Sequence, residues 1–263
     1  MLGAIVGDFC GAPYERRGAR YDGSVPLINA ACRLTDDSKL TFATAEVLLG
    51  SDLSAEAFAR SYMSWGRDYP NRGYGSGFSA WLGAGQLVKN GSFGNGSAMR
   101  VSPAGWAARS LEEALALAEK SALYTHGHPE GVKGAQAIAG SVFLLRQGED
   151  NARLSRWIES AFGYDLSRSV SQLIAEGCGF NATCQGSVPQ AVRCFLDAGS
   201  YEEAISNACS LNGDTDTQAD MAGALAQARW GVPWAMRLAV QDAMDDRMKS
   251  TLHAFEERFG GAF

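Results

Sequence analysis

Apolar residues recur along this chain at the spacing of helices. In the segment 111–123, Leu111, Leu115, Ala118 and Ala122 fall on one helical face. Ser110 stands at the N-cap position, and Glu112 and Glu113 occupy the first turn, where they suit the helix dipole. From Pro129 to Arg146 the residues Val132, Ala135, Ala139 and Val142 trace a second stripe, with Pro129 at a favoured first helical position. Similar patterns predict helices over 38–49, 54–66, 97–109, 152–161, 189–198, 201–210, 217–230 and 241–259. No segment alternates cleanly between apolar and polar, alanine is abundant and β-branched residues are sparse, so the expected class is all-α. In the opening segment Gly3, Gly7 and Gly11 recur every four residues, which makes one smooth helical face that another backbone can approach closely. The stretches 16–33 and 69–77 read as irregular loops. No repeat, low-complexity run or linker divides the chain, so residues 1–263 read as one domain.

Composition narrows the function. Hydrophobic residues make up 46% of the 263 and charged residues 20%, an ordinary globular balance. The net charge of -6 gives no general attraction to nucleic acid or anionic membranes. The uncharged runs are too short and too polar to span a bilayer, and no basic start leads into an apolar signal core, so a cytoplasmic protein is expected. The six cysteines include no CxxC pair. Reduced, mostly buried thiols are expected, since a zinc site built from the last four is poorly spaced.

Two short acidic segments concentrate the chemistry. Thr35-Asp36-Asp37-Ser38 precedes one predicted helix, and Gly213-Asp214-Thr215-Asp216-Thr217 precedes another. Asp and Thr are good N-caps, but a cap needs one such residue, not two adjacent carboxylates followed elsewhere by two more at i and i+2. Crowded carboxylates repel unless some stay protonated or a cation sits among them. Carboxylate and hydroxyl oxygens suit Mg²⁺, Mn²⁺ or Ca²⁺ rather than zinc. A third acid, Glu15, follows Pro13, which ends the first helix and leaves Glu15 on a turn. By residue type alone it reads as a solvated surface acid.

The run Gly3-Ala-Ile-Val-Gly-Asp-Phe-Cys-Gly-Ala-Pro-Tyr-Glu15 resembles the opening helix of the ADP-ribosylglycohydrolases. The two acidic segments, Gly94-Asn95-Gly96-Ser97-Ala98-Met99-Arg100 and Thr125-His126-Gly127-His128-Pro129-Glu130-Gly131 resemble further motifs of that family, in the same order. The resemblance implies a compact, single-domain orthogonal helical bundle with a central dinuclear metal cleft holding two Mg²⁺ (or Mn²⁺) ions. It implies Thr35, Asp36, Asp37, Asp214, Asp216 and Thr217 as metal ligands and Glu15, Asp37 and Asp216 as catalytic residues. Gly94, Asn95, Gly96 and Ser97 would cradle the diphosphate, helped by backbone N–H groups and a helix dipole, and His126 would lie near the phosphate and adenosine portion. As a residue at a helix start, His126 reads equally well as a structural hydrogen-bonding group.

The implied activity is release of ADP-ribose from an ADP-ribosylated protein, nucleic acid or small molecule. Rival readings are a non-catalytic ADP-ribose-binding module, a protein that occludes an ADP-ribosylating toxin, and a phosphohydrolase that cuts the diphosphate. The chain departs from the family at Ser38, where Thr is common, and at Gln218 and Asp220, where apolar residues are common. Those two read as hydrogen-bonding groups behind the ligands or, for Asp220, as a solvent-facing acid. Tyr62, Trp65, Tyr69 and Tyr74 read mainly as core, with one of them a candidate to stack on adenine.

Overall fold

In the computed structural model the described residues are 1–15, 20–70 and 73–260. The expected loops 16–33 and 69–77 therefore lie partly outside them, at residues 16–19 and 71–72, as do the last residues of the expected domain, 261–263. Of the parts described, residues 20–33 contain no helix.

Side-chain caps set where most helices begin. After α1 (Leu2–Gly11), Thr35 caps α2 (Asp36–Leu49) and Ser54 caps α3 (Ala55–Asp68). Next come α4 (Ser76–Ala84), α5 (Gly96–Met99) and α6 (Ser102–Ala107). Ser110 caps α7 (Leu111–Ala122), His128 caps α8 (Pro129–Arg146) and Asp150 caps α9 (Asn151–Phe162). Ser169 forms a capping box on α10 (Val170–Glu176), Thr183 caps α11 (Cys184–Leu196) and Ser200 caps α12 (Tyr201–Cys209). The chain closes with α13 (Thr215–Trp230), α14 (Trp234–Asp242) and α15 (Asp246–Phe259), the last capped by Asp245. Among the described residues no strand forms, and the only β pairings are the isolated bridges Gly91–His126 and Gly94–Thr183.

The all-helical expectation holds, with local corrections. The helix expected over 97–109 is two short ones, because Pro103 has no N–H to continue a ladder and instead opens α6. The helix expected over 241–259 starts only at Asp246, and α14 ends just before it at Asp242. Conversely, α11 begins before Pro189, which sits inside it. Helices α4 and α10, and α14 up to Val240, are additions.

The core is organised around α13, which is buried along nearly its whole length and packs on α1, α8, α11 and α12. Its tightest partner is α1, all ten residues of which are buried. A Cβ on Gly7 would fall on the Ala219 carbonyl oxygen, one on Gly11 on the Thr215 carbonyl, and Gly3 and Gly223 press reciprocally on each other's carbonyls. The glycine face predicted for the first helix is thus what lets two backbones touch. Thr215 Oγ1 donates to the Gly11 carbonyl at 3.0 Å, which fixes the start of α13 beside the end of α1. No described helix is long and apolar enough to cross a membrane, and all six cysteines are free thiols.

Candidate functional site

The starts of α2 and α13 meet at the end of α1, and one residue of α1 joins them. Asp8 is fully buried. Its Oδ1 accepts the Thr35 hydroxyl at 2.6 Å, and its Oδ2 accepts the Thr35 N–H at 2.9 Å, the Ser38 N–H at 3.2 Å and the Ser38 hydroxyl. Two of these donors are backbone N–H groups at the start of α2, so Asp8 satisfies groups that the helix itself cannot. Thr35 Oγ1 in turn accepts from the Asp37 N–H at 3.3 Å, completing its cap. Sequence reasoning gave Asp8 no role. The available signal was an acid standing alone in the apolar, glycine-spaced run Leu2–Gly11.

The two acidic segments come together, which their spacing could not show and the family resemblance implied. Carboxylate oxygens of Asp8, Asp37 and Asp216 lie within 4.8 Å of one another, and so do those of Glu15, Asp214 and Asp216. Asp216 belongs to both groups. Glu15, read by residue type as a surface acid, is half-buried and takes part in the second. Asp36 lines the same cleft but joins neither group. Thr217 lines the cleft, whereas Thr35 does not and is instead committed to Asp8 and Asp37. Asp214 is held by the Asn95 amide, which donates to Oδ2 at 2.8 Å.

This much like charge in little solvent raises Asp8, Asp36, Asp37 and Asp216 above the usual carboxylate range. Burial, then Asp8, Asp214 and Glu15, push Asp36 up to about 8. Burial raises Asp37 well above the carboxylate range, with Asp216 its largest charged neighbour. Asp216 rises by burial and then by Asp214 and Glu15. Asp37 Oδ2 is buried and finds no hydrogen-bond partner among the described residues. A buried acceptor of this kind in a cluster of acids is the environment a hard divalent cation neutralises. Asp220, one turn beyond Asp216, does not face solvent. It is fully buried, burial raises it, and neither oxygen has a hydrogen-bond partner among the described residues. Gln218 is also buried and donates to the Gln190 amide.

The cleft above these acids has a volume of about 220 Å³. Its opposite wall is the 94–96 loop with His126 and Arg100. Gly94 and Gly96 lie against the imidazole, and a Cβ on Gly96 would stand 3.0 Å from His126 Nε2. Arg100 is fully buried, stacked 3.8 Å from the Tyr62 ring centroid, and donates to the Ser121 carbonyl at 3.1 Å and to Thr125 Oγ1. Thr125 Oγ1 pairs with His126 Nδ1 at 2.9 Å. Burial, then the Arg100 charge, hold His126 well below its usual range, so the ring is neutral. Thr125 Oγ1 accepts from Arg100 and can give its own proton to Nδ1, in which case the ring carries its proton on Nε2, facing the glycines.

Two sequence expectations change here. Ser97 is fully buried and spends its hydroxyl on the Gly131 carbonyl at 2.7 Å, tying the loop to α8 rather than facing the cleft. Helix α5 has only four residues, too few for an appreciable macrodipole. Of the aromatics, Tyr62 and Trp65 are core, Trp65 stacking between Phe42 and Tyr69. Tyr74 packs on Phe78, and it is Phe78 that lines the cleft. A larger cavity of about 420 Å³, between Trp106, Trp234, Phe255 and the Arg237–Glu256 ion pair, shares no residue with this cleft and holds none of its acidic groups.

Comparison with known proteins agrees with the motifs. Residues 1–261 match the family model described as ADP-ribosylglycohydrolase. The ADP-ribosylhydrolase ARH3 of Bos taurus is 28% identical over 88% of this chain and 84% of its own length. ARH3 of Homo sapiens is 27% identical over 88% and 84% respectively. A solved structure titled "ADP-ribosylglycohydrolase-related protein complex" superposes with a TM-score of 0.72 at 24% identity, covering 98% of this chain and 95% of that one, a likeness of fold.

Proposed function

The chain belongs to the ADP-ribosylglycohydrolase family, and on that premise we propose that its acidic cleft hydrolyses the N- or O-glycosidic bond joining ADP-ribose to an acceptor, with two divalent cations, Mg²⁺ or Mn²⁺, as cofactors. The observation that carries the reading is Asp216, whose carboxylate belongs to two acidic groups at once.

Asp36, Asp37, Asp214, Asp216 and Thr217 would hold the ions, with Thr35 near them. Hard oxygen donors in a cluster too crowded to ionise alone fit that role. When bound, such ions supply Lewis-acid chemistry: a hold on ribose hydroxyls and a raised acidity of nearby water. The chain's own groups do the rest. Cleavage at the anomeric carbon develops positive charge there, and the carboxylates of Asp37 and Asp216 offset it. Glu15, the one acid of the two groups that is not fully buried, sits where it can exchange protons with the reacting groups. It is the proton carrier, positioning and deprotonating the attacking water or protonating the leaving group. On the other wall, His126 Nε2–H and the backbone of Gly94 to Gly96 receive the diphosphate, and the buried Arg100 charge behind them favours an anion. Asn95 serves by orienting Asp214.

The test is a hydrolysis assay with Mg²⁺ on ADP-ribosylated arginine, serine, nucleic-acid and small-molecule substrates, with products separated by mass and Asp216→Ala as control. Free ADP-ribose from one of them, lost in the variant and in chelator, is expected. AMP as the product would assign the cleft to diphosphate hydrolysis. Tight ADP-ribose binding with no product from any substrate would make the protein a binding module.

A further inference from the structure

The first turn of α4 opens onto the cleft uncapped. Gly75, at its N-cap position, has no side chain to accept from the N–H groups behind it, whereas Ser54, Ser110 and Ser169 cap their helices. The helix ladder starts with the Ser79 N–H on the Gly75 carbonyl at 2.9 Å, and the N–H groups of Gly77 and Phe78 have no partner among the described residues. Gly75, Ser76, Gly77 and Phe78 all line the cleft, and around both glycines no atom comes within 4 Å of where a Cβ would stand. A nine-residue helix in this position turns free donors and the positive end of its dipole toward whatever enters.

A second set of donors in the cleft also lacks a partner. Arg100 is fully buried and lines the cleft. Its Nη2 donates to the Ser121 carbonyl and to Thr125, but its Nε and Nη1 find no partner among the described residues. Its guanidinium stacks on Tyr62, and one turn along α3 the Cβ position of Gly66 stands 3.4 Å from the Phe78 ring. Arg100 and the first turn of α4 therefore meet the same part of the cleft. Buried, unpaired guanidinium donors call for an anionic acceptor.

This part lies apart from the diphosphate wall. Asn95 donates to Asp214, which seats the 94–96 loop on the Asp214 flank of the acids. Gly73 presses on the other flank, its Cβ position 2.8 Å from Asp36 Oδ1. Burial lowers Arg100, and Asp36 is the carboxylate that works against it. ADP-ribose with its diphosphate on the first flank and its ribose over the acids directs the bonded acceptor toward the second.

Resting on the assignment of ADP-ribose to this cleft, we propose that the first turn of α4 and Arg100 form an acceptor-side anion site, and that the acceptor is a nucleotide phosphate. Phe78 adds the reason for a nucleotide. It is half-buried, lines the cleft and is backed by Tyr74 at 5.1 Å and Trp81 at 5.6 Å between ring centroids, an aromatic face on which a base can stack beside the phosphate. The segment 73–78 carries no acid to repel it. In the reaction, the water oxygen bonds to the anomeric carbon and a water proton passes to Glu15. The bond from that carbon to a phosphate oxygen breaks, and the electron pair leaves with the phosphate. The α4 N–H groups and Arg100 stabilise the charge that arrives there.

The experiment uses Gly75→Asp, whose carboxylate caps the Gly77 and Phe78 N–H groups itself, and Gly75→Ala, which leaves them open. Gly75 has a φ of -58° and open space around its Cβ position, so both side chains fit the present backbone. Inorganic phosphate is titrated by calorimetry into the full chain with Mg²⁺ and saturating ADP-ribose. Phosphate should still bind, should weaken roughly tenfold or more in Gly75→Asp, and should be held by Gly75→Ala. Exclusion of phosphate by ADP-ribose, equal binding by the parent and Gly75→Asp, or equal loss in both variants overturns the site. In turnover, Gly75→Asp should lower kcat/KM for an oligonucleotide ADP-ribosylated on its terminal phosphate far more than for an ADP-ribosylserine peptide. Equal losses, or a larger loss on an ADP-ribosylated phosphopeptide, overturn the nucleotide acceptor. The phosphate titration needs no turnover, so its failure and the failure of the hydrolase reading are told apart.

Discussion

Replacing Asp8 by alanine or by asparagine separates two ways in which a buried acid can matter. Alanine removes the acceptor for the Thr35 and Ser38 N–H groups at the start of α2 and leaves both buried. The two hydroxyls can rotate to other partners, but the N–H groups cannot. At ~1–3 kcal/mol for each orphaned group, and allowing for relief of the carboxyl's own burial, the net loss is about 3 kcal/mol. For a domain of this size that corresponds to a melting point lower by roughly 6–12 °C. Asparagine, with its carbonyl oxygen where Oδ2 now lies, keeps both N–H groups satisfied and turns its amide toward Thr35 Oγ1, which can accept. Its loss should be near 1 kcal/mol, the difference between a charged and a neutral acceptor. Thermal and urea unfolding of both variants read these values. Because Thr35 to Asp37 ride on the start of α2, Mg²⁺ affinity should fall in the same order. An alanine variant as stable as the parent, or an asparagine variant as damaged as the alanine one, would refute the role assigned to Asp8.

Three further expectations follow from the same geometry. Gly7→Ala drives a methyl into the Ala219 carbonyl and must part α1 from α13. A loss of ~1–3 kcal/mol or more in urea unfolding is expected, and a neutral result would mean the helices are not in backbone contact. In metal-free protein, Asp36 titrates near 8, against an unperturbed value of 3.8. The folded state therefore holds the extra proton between those values, and its stability should fall as pH rises through that window. Melting in EDTA at pH 5 and pH 8 checks the sign, and added Mg²⁺ should stabilise most at pH 8. A flat profile that Mg²⁺ leaves unchanged would count against the crowded-acid reading. Thr125→Val removes the hydroxyl that pairs with His126 Nδ1 and should weaken ADP-ribose binding about tenfold, ~1.4 kcal/mol, by calorimetry. Unaltered affinity would take His126 out of the anion wall.

Local signals in the chain foretold much of this structure. Ser110 and Pro129 mark helix starts where α7 and α8 begin, and the glycine spacing of α1 announced a backbone contact, though not its partner α13. Both acidic segments sit at helix starts, and the family resemblance, not their spacing, implied their meeting. What stayed hidden depends on distant partners. Asp8 is defined by Thr35 and Ser38, 27 and 30 residues away. For Asp220 the sequence leaves open a hydrogen-bonding group behind the ligands or a solvent-facing acid, because an acid following a metal motif shows the same pattern whether it is solvated or buried. Ser97 shares a glycine-rich loop with Gly94 and Gly96, yet its direction is set by the Gly131 carbonyl of α8. Helix α10 is only seven residues long, too short to establish a period.

The central claim is that Asp216 belongs to two cation sites at once. Anomalous diffraction from crystals soaked in Mn²⁺ tests it most directly. Two manganese peaks in the cleft, both within bonding distance of the Asp216 carboxylate, with the second also beside Glu15 or Asp214, are the expected result. A single peak, or none among Asp36, Asp37, Asp214 and Asp216, would contradict it.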